Sequence, residues 1–307
     1  MEISRRYLQL GRFTSAIAVI LTVLAFSSAK AVLFNLGEAS GYAALILPGG
    51  SNNMVINGGA AVDGDVGVSD SLHLDLGSTA KVGPNAGTGT IVSGHIFLNP
   101  GATVNLMHQP PNSVVTRNLS QAVTDAIAAN HAAAQLTPTL NLGGLDISGS
   151  NYTIAANGNN NVISLSSFKL HGGGSLTISG SASDYFVFNI TGDYSISGEG
   201  TMHLTGGITQ SNILWNFVGG GNTPNLTGHG TFYGTYLAPN RAFGITDSTL
   251  YGSIISQGDL KITSKALVIN PTAVPEVSFS AVWIGFAGLI CAFHVRRKWK
   301  KGVPGSV

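Results

Sequence analysis

Along the second half of the chain, short apolar-x-apolar triplets recur at roughly eight- to ten-residue intervals, among them Leu145/Ile147, Leu176/Ile178, Phe186/Phe188/Ile190, Tyr194/Ile196, Met202/Leu204, Leu260/Ile262 and Leu267/Ile269. Alternation with period two over so short a run puts every second side chain on one face of an extended backbone, and so predicts strands. Between the triplets stand clusters such as Gly172-Gly173-Gly174, the Asn-rich residues 157–161 and the Gly-rich residues 219–222. These residue types tolerate positive φ and tight corners, so each strand is expected to end in a sharp turn with no room for a crossover helix. Short strands at such spacing suit either a β-sandwich or a solenoid whose triangular coil is closed by about three strands. Repeated turns of similar length favour the solenoid.

One segment follows a different period. Residues 119–136 read LSQAVTDAIAANHAAAQL, with Leu119, Ala122, Val123, Ala126 and Ile127 at three- and four-residue spacing and Pro138 just beyond. This predicts a single alanine-rich helix, with Asn118 or Ser120 able to cap its start. Its apolar stripe is expected to lie along the side of the solenoid.

The two ends are hydrophobic in another way. Arg5, Arg6 and Arg12 precede an apolar stretch over 16–26, and Ala29-Lys30-Ala31 has the small-x-small form of a cleavage site. Residues 1–31 therefore read as a signal peptide, with the mature chain beginning near Val32. Ser4-Arg5-Arg6-Tyr7-Leu8 partly matches a twin-arginine signal, but the strongly apolar stretch favours the general secretory route; an uncleaved N-terminal anchor is the alternative. At the other end Val274-Pro275-Glu276-Val277 leads into an apolar run over 277–295, then into Arg296, Arg297, Lys298, Lys300 and Lys301. A run of roughly 19 residues crosses about 30 Å of hydrocarbon as a helix, and the basic cluster belongs on the cytoplasmic side. The body, 32–271, is then expected outside the membrane.

Charge and cysteine usage narrow the function. The formal charge is +1, but nine of the 15 basic residues lie in the two end segments, whereas of the 14 acids only Glu2 and Glu276 do. The body thus carries 12 acids against six bases and has no basic run able to track a phosphate backbone, which argues against nucleic acid as a partner. Cys291, inside the apolar C-terminal run, is the single cysteine. The body must fold without disulfides and offers no cysteine nucleophile or thiolate metal site.

The order of signal peptide, body, Pro-Glu motif, single span and basic tail resembles the PEP-CTERM sorting architecture of Gram-negative bacteria that make extracellular polysaccharide. The resemblance implies an exosortase, a membrane-embedded transpeptidase, as the processing partner that reads Val274, Pro275 and Glu276 with the basic stop. The chain departs from the family's Pro-Glu-Pro in having Pro275-Glu276-Val277. A permanent, unprocessed anchor is the other reading of the same segment.

The body resembles the ice-binding-like family. The likeness is carried by Leu36-Gly37 with Tyr42-Ala43-Ala44-Leu45, by Val62-Asp63-Gly64-Asp65-Val66-Gly67-Val68, and by the alanine-rich helix. Further on it is carried by Ala182-Ser183-Asp184-Tyr185-Phe186-Val187-Phe188, by residues 212–215, and by Gly230-Thr231-Phe232-Tyr233-Gly234-Thr235-Tyr236-Leu237-Ala238-Pro239. It implies an all-β right-handed parallel β-helix with one packed α-helix over about 32–271, flanked here by the signal helix and the transmembrane helix.

Ice recognition requires a flat strand face with regularly stacked small hydroxyl and methyl groups. Thr153, Thr177 and Thr201, with Thr205, are the candidates, while Tyr152, Tyr185, Tyr194, Met202 and His203 are expected to interrupt the ladder. Threonine and serine are also ordinary strand formers on an exposed face.

Enzymatic readings fare worse. Gly228-His229-Gly230 superficially matches polygalacturonases, but their chemistry needs paired carboxylates across the scissile bond, and the chain holds no Asp-Asp dipeptide. A lyase would need an Arg or Lys base beside Ca²⁺ carboxylates, yet Arg241 is the one arginine of the solenoid portion. Asp63, Asp65, Asp70 and Asp75 read as solvated corner residues, and the histidines show no metal-ligand spacing. The expectation is a non-catalytic exported protein with no cofactor and no metal, anchored in the envelope and acting at the cell surface or in the exopolysaccharide matrix as an adhesin or scaffold. Ice binding is the alternative, and a carbohydrate-active β-helix enzyme the third reading.

Overall fold

Tyr42–Leu47, Asn53–Ile56 and Ala61–Asp63 run along three sides of a coil, and Asp65–Val68 then lies directly beside Tyr42–Leu47, with Leu45 opposite Gly67. This and every other ladder among the described residues of the computed structural model is parallel, which settles the choice between sandwich and solenoid in favour of the solenoid. The structure describes residues 33–49, 53–70, 72–77, 81–82, 94–106, 114–158 and 160–270. The expected signal peptide, sorting motif, span and basic tail lie outside the described residues, and among the described residues no helix is long and apolar enough to cross a membrane.

The chain does not climb the solenoid in sequence order. It starts in the middle, winds to one end at Val114–Thr116, returns alongside as helix α1 (Ser120–Ala134), and begins again at the far end with Leu140–Ser148. From there it winds back until its last coil meets its first: Ala44 pairs with Ile254, Met54 with Leu260 and Ala61 with Leu267. The last strand, Leu267–Ile269, is therefore hydrogen-bonded on both sides, to Thr249–Gln257 and to Ala61–Asp63.

Three faces result. The first, which includes Tyr185–Ile190 and Ile213–Phe217, is covered by α1 and buried on both sides. The helix packs through Ala122, Ala126, Ala129, Asn130 and Ala133. The expected stripe is thus corrected: Ile127 is 40% exposed, and a polar residue takes its place in the interface. Alanines allow the helix to approach closely, and at that distance asparagines span the gap. Asn130 Nδ2 donates to Asn216 Oδ1 at 2.7 Å, Asn216 Nδ2 donates to Asn189 Oδ1 at 2.8 Å, and Asn189 Nδ2 donates to the Ala133 carbonyl at 2.8 Å. Asn130→Ala is expected to lower the urea midpoint by the equivalent of about 1–3 kcal/mol, because it strands the buried Asn216 carbonyl without a donor. An unchanged midpoint would show that the asparagine relay carries no weight. At the helix start, Asn118 Oδ1 accepts from the Ser120 N–H at 2.8 Å and Asn99 Oδ1 from the Leu119 N–H at 3.1 Å.

The interior is a stack of in-register side chains. Phe188, Trp215 and Tyr236 occupy one column on successive coils, with rings stacked at 4.0 Å and 5.8 Å, and continue into Ile254 and Ala44 across the seam. The polar tips inside find partners: Trp215 Nε1 donates to the Tyr233 carbonyl at 3.0 Å, and Tyr194 donates its hydroxyl to that of Tyr236 at 3.2 Å. Burial raises both phenols far above their ordinary ionisation range. Arg241 is likewise a structural residue. Its guanidinium, 6% exposed, donates to the carbonyls of Gly219, Gly192 and Gly220, each at 2.7 Å, and pins the Gly-rich corner.

Candidate functional site

The second face is a polar mosaic. Asp146 pairs with Lys169, Gly244 with Lys261, Lys261 with Val55, and Val55 with Asp75, so charges of both signs stand along one outward column. Such a surface remains hydrated and offers no repeat.

The third face is open. Asn151–Ala155, Ser175–Ser179 and Thr201–Thr205 form a separate three-stranded parallel sheet whose buried positions are Ile154, Leu176, Ile178 and Met202. Period-two alternation sends the intervening residues outward in three rows. The first is Asn151, Ser175 and Thr201, the second Thr153, Thr177 and His203, and the third Ala155, Ser179 and Thr205. Adjacent strands stand about 4.8 Å apart, and five residues extend about 16 Å along each.

The candidate threonines therefore share a face without sharing a row. Thr153 and Thr177 are directly paired, but Thr201 sits in the neighbouring row opposite Ser175, and the coil-to-coil partner of Thr177 is His203. Four of the five expected interruptions do not reach this face. Tyr152 packs against the core, Met202 and Tyr194 are buried, and Tyr185 lies on the helix-covered side, edge-on to Phe34 at 6.2 Å. His203 alone breaks the pattern, because odd-numbered positions of this strand point outward. Ser175, Ser179, Asn151 and Ala155 were not singled out from the sequence. Aligning the corner glycines Gly149 and Gly173 would have placed them in register with the threonines.

Towards the seam the open face changes chemistry. Tyr233 and Tyr251 are paired and stacked, with ring centroids 5.7 Å apart, and Tyr251 is followed by Ile269 and Asp63. Burial, then the neighbouring Tyr251, raises the Tyr233 phenol. One border of the face is a corner where Glu199, His229, Asp247 and Lys265 all adopt positive φ. There His229 Nδ1 lies 3.1 Å from Asp247 Oδ2, with its side chain 73% exposed. The opposite border is the corner with the helix-covered face. Gly234, Gly252 and Gly64 turn it with positive φ, and a Cβ on Gly252 would overlap the Gly234 carbonyl.

Two acids of the first coils have local partners. Asp65 accepts from the His95 N–H at 2.9 Å and Asp75 from Asn105 Nδ2 at 3.2 Å. Among the described residues no three His, Cys, Asp or Glu side chains come together as a metal site. A cleft of about 370 Å³ beside the helix start is lined by Pro48, Ser69, Asp70, Asn99, Leu119, Ser120, Val123 and Thr124, with a single carboxylate among them.

Comparison with known proteins agrees with this architecture. The chain is 27% identical over 246 residues to an ice-binding protein of Flavobacterium frigoris (strain PS1), covering 80% of this chain and 77% of that one. Its fold matches an ice-binding protein from an Arctic yeast with a TM-score of 0.51 at 23% identity, covering 80% of this chain and 98% of that one. It also matches one from the Antarctic ascomycete Antarctomyces psychrotrophicus with a TM-score of 0.52 at 19% identity, covering 77% and 98%. The model of the ice-binding-like family matches residues 49–268, and the chain belongs to that family.

Proposed function

We propose that this protein is exported and binds ice through the open face, without catalysis. The observation that carries the reading is the three-stranded sheet, where all nine outward side chains except His203 are Asn, Ser, Thr or Ala. An ice surface is flat, rigid and periodic, so a ligand-facing surface gains only if its groups lie in one plane at repeated spacing. Parallel strands in coil-to-coil register supply both. The helix-covered face is unavailable and the mosaic face carries charges of both signs, which leaves the open face. The names of the relatives support the same ligand.

The terminal segments supply delivery. Residues 1–31 direct export from a Gram-negative cell, and Val274, Pro275 and Glu276 with the span 277–295 and the basic stop place the chain in the membrane for an exosortase-type enzyme. A surface or exopolysaccharide-matrix scaffold is the second reading, supported by that sorting pattern and by the hydrated mosaic face. Carbohydrate chemistry is the weakest reading, since His229 is held by Asp247 at an exposed corner and Arg241 is taken up by backbone carbonyls.

The test is ice shaping and thermal hysteresis by the purified body. His203→Thr adds a third threonine to the row of Thr153 and Thr177 and is expected to increase the hysteresis, since it removes the one ring among the nine outward positions of the three-stranded sheet. No ice shaping by either protein would remove the ice reading and return the scaffold reading to first place.

A further inference from the structure

We infer that the half of the open face next to the seam binds a neutral polysaccharide, with the stacked rings of Tyr233 and Tyr251 as its platform and His229, Thr231 and Thr249 as the polar groups beside them. This ligand is separate from ice. It meets side chains outside the three-stranded sheet, and its binding does not depend on whether that sheet meets ice.

The open face consists of two surfaces. Thr201–Thr205 pairs with Ser175–Ser179 on one side, and among the described residues no ladder joins it to Thr231–Ala238 on the other. A second surface begins at Thr231, with Thr231, Thr249 and Leu267 in one outward row and Tyr233, Tyr251 and Ile269 in the next. The positions between them, Phe232, Leu250 and Val268, are buried, so the tyrosines stand on the outer side of the coil.

Their rings are inclined by only 14°, with centroids 5.7 Å apart. Atoms in contact lie about 3.5–4 Å apart, so the two rings are slipped sideways by about 4 Å and part of each face stays uncovered. Tyr251 is 37% exposed. The next residues, Gly234 and Gly252, leave the rim beside the rings without side chains. The C–H face of a pyranose is apolar and suits the negative face of an aromatic ring, while its hydroxyls require donors and acceptors nearby. Those groups stand across the same coils. Thr231 and Thr249 are partly exposed, and at the corner His229 Nδ1 is held 3.1 Å from Asp247 Oδ2, which leaves Nε2 for a ligand. Four residues of strand, about 13 Å, separate Asp247 from Tyr251, a span that several sugar units laid across the coil can cover.

Charge and area select this occupant. Asp247 and Asp63 lie on the borders of the surface with Lys265, and the body as a whole carries 12 acids against six bases, so a polyanion is repelled. The outward apolar residues are Tyr233, Tyr251, Leu267 and Ile269, far fewer than the roughly 20–30 residues a side of a stable protein interface.

The experiment runs the full chain, in a detergent without sugar headgroups, through native gels containing hydroxyethyl cellulose or carboxymethyl cellulose, polymers of one backbone that differ in charge. The parent is expected to be retarded by the neutral polymer and not by the anionic one. Tyr251→Ala is expected to raise the apparent Kd for hydroxyethyl cellulose about tenfold, and Tyr251→Phe, which keeps the ring, to change it by less than about threefold. His229→Ala, at an exposed corner where the fold is spared, is expected to raise it about threefold. Circular dichroism checks the fold of each variant, and ice shaping is measured on the same samples and is expected to be equal in the parent and Tyr251→Ala. A parent that hydroxyethyl cellulose does not retard, or folded Tyr251→Ala retarded as strongly as the parent, overturns the inference and leaves the ice reading standing. Loss of ice shaping in folded Tyr251→Ala would assign the rings to ice, and a parent dimer that the same substitution dissociates would assign them to a second copy of the chain; either result also overturns it. Retardation without ice shaping by any of the proteins removes the ice reading and leaves the polysaccharide site.

Discussion

The body carrying Thr177→Tyr is expected to lose ice shaping while melting within about 0.5 kcal/mol of the unsubstituted protein. Thr177 stands at the centre of the nine outward positions, paired with Thr153 on one side and His203 on the other. A phenol there rises several ångströms above its neighbours. Because ice does not deform around it, the ring holds the lattice away from all three rows and the loss extends beyond one contact. Stability is spared because the side chain points to solvent and tyrosine is a good strand residue. Lys169→Tyr, which places the same ring on the mosaic face, is the control and is expected to leave ice shaping intact. Ice shaping retained by folded Thr177→Tyr would place the contact elsewhere.

The strand rhythm was legible because it is local. Phe186, Phe188 and Ile190 alternate in sequence and do point inward, and the alanine-rich segment forms a helix within two residues of the expected bounds. What sequence could not supply was order along the axis. Ala44 and Ile254 touch although 210 positions apart, and neither the triplets nor the corners mark that seam. The helix stripe was misjudged for a related reason. Apolar periodicity points at Ile127, whereas the gap left by alanines is bridged by Asn130, a polar residue whose partners Asn189 and Asn216 lie on other strands. On the open face the residue types were visible but the register was not. Residue type alone groups Thr201 with Thr153 and Thr177, yet its pairing with Ser175 moves it one row aside.

Ile178→Asp, one position from the outward-facing Thr177, is expected to have the opposite profile, with the fold lost and ice shaping lost with it. Ile178 is fully buried between Ile154 and Leu204 on the adjacent coils. An unpaired carboxylate there costs several kcal/mol, a large share of the roughly 5–15 kcal/mol that holds a domain together. Each coil is stabilised chiefly by its neighbours, so failure at this coil exposes the next, and the far-end coils up to Thr201–Thr205 are expected to fray together. The sign of the pH dependence follows from desolvation. Burial raises the pKa of the new carboxyl in the folded state, so the penalty is full above that raised value and disappears below the unfolded value of about 3.9. Circular dichroism of the variant should therefore show strand signal returning on mild acidification, against a conservative Ile178→Val control that costs only about 0.5–1.5 kcal/mol. A variant as stable as the parent at neutral pH would mean that position 178 faces water, and with it the assignment of Thr177 to the open face would fall.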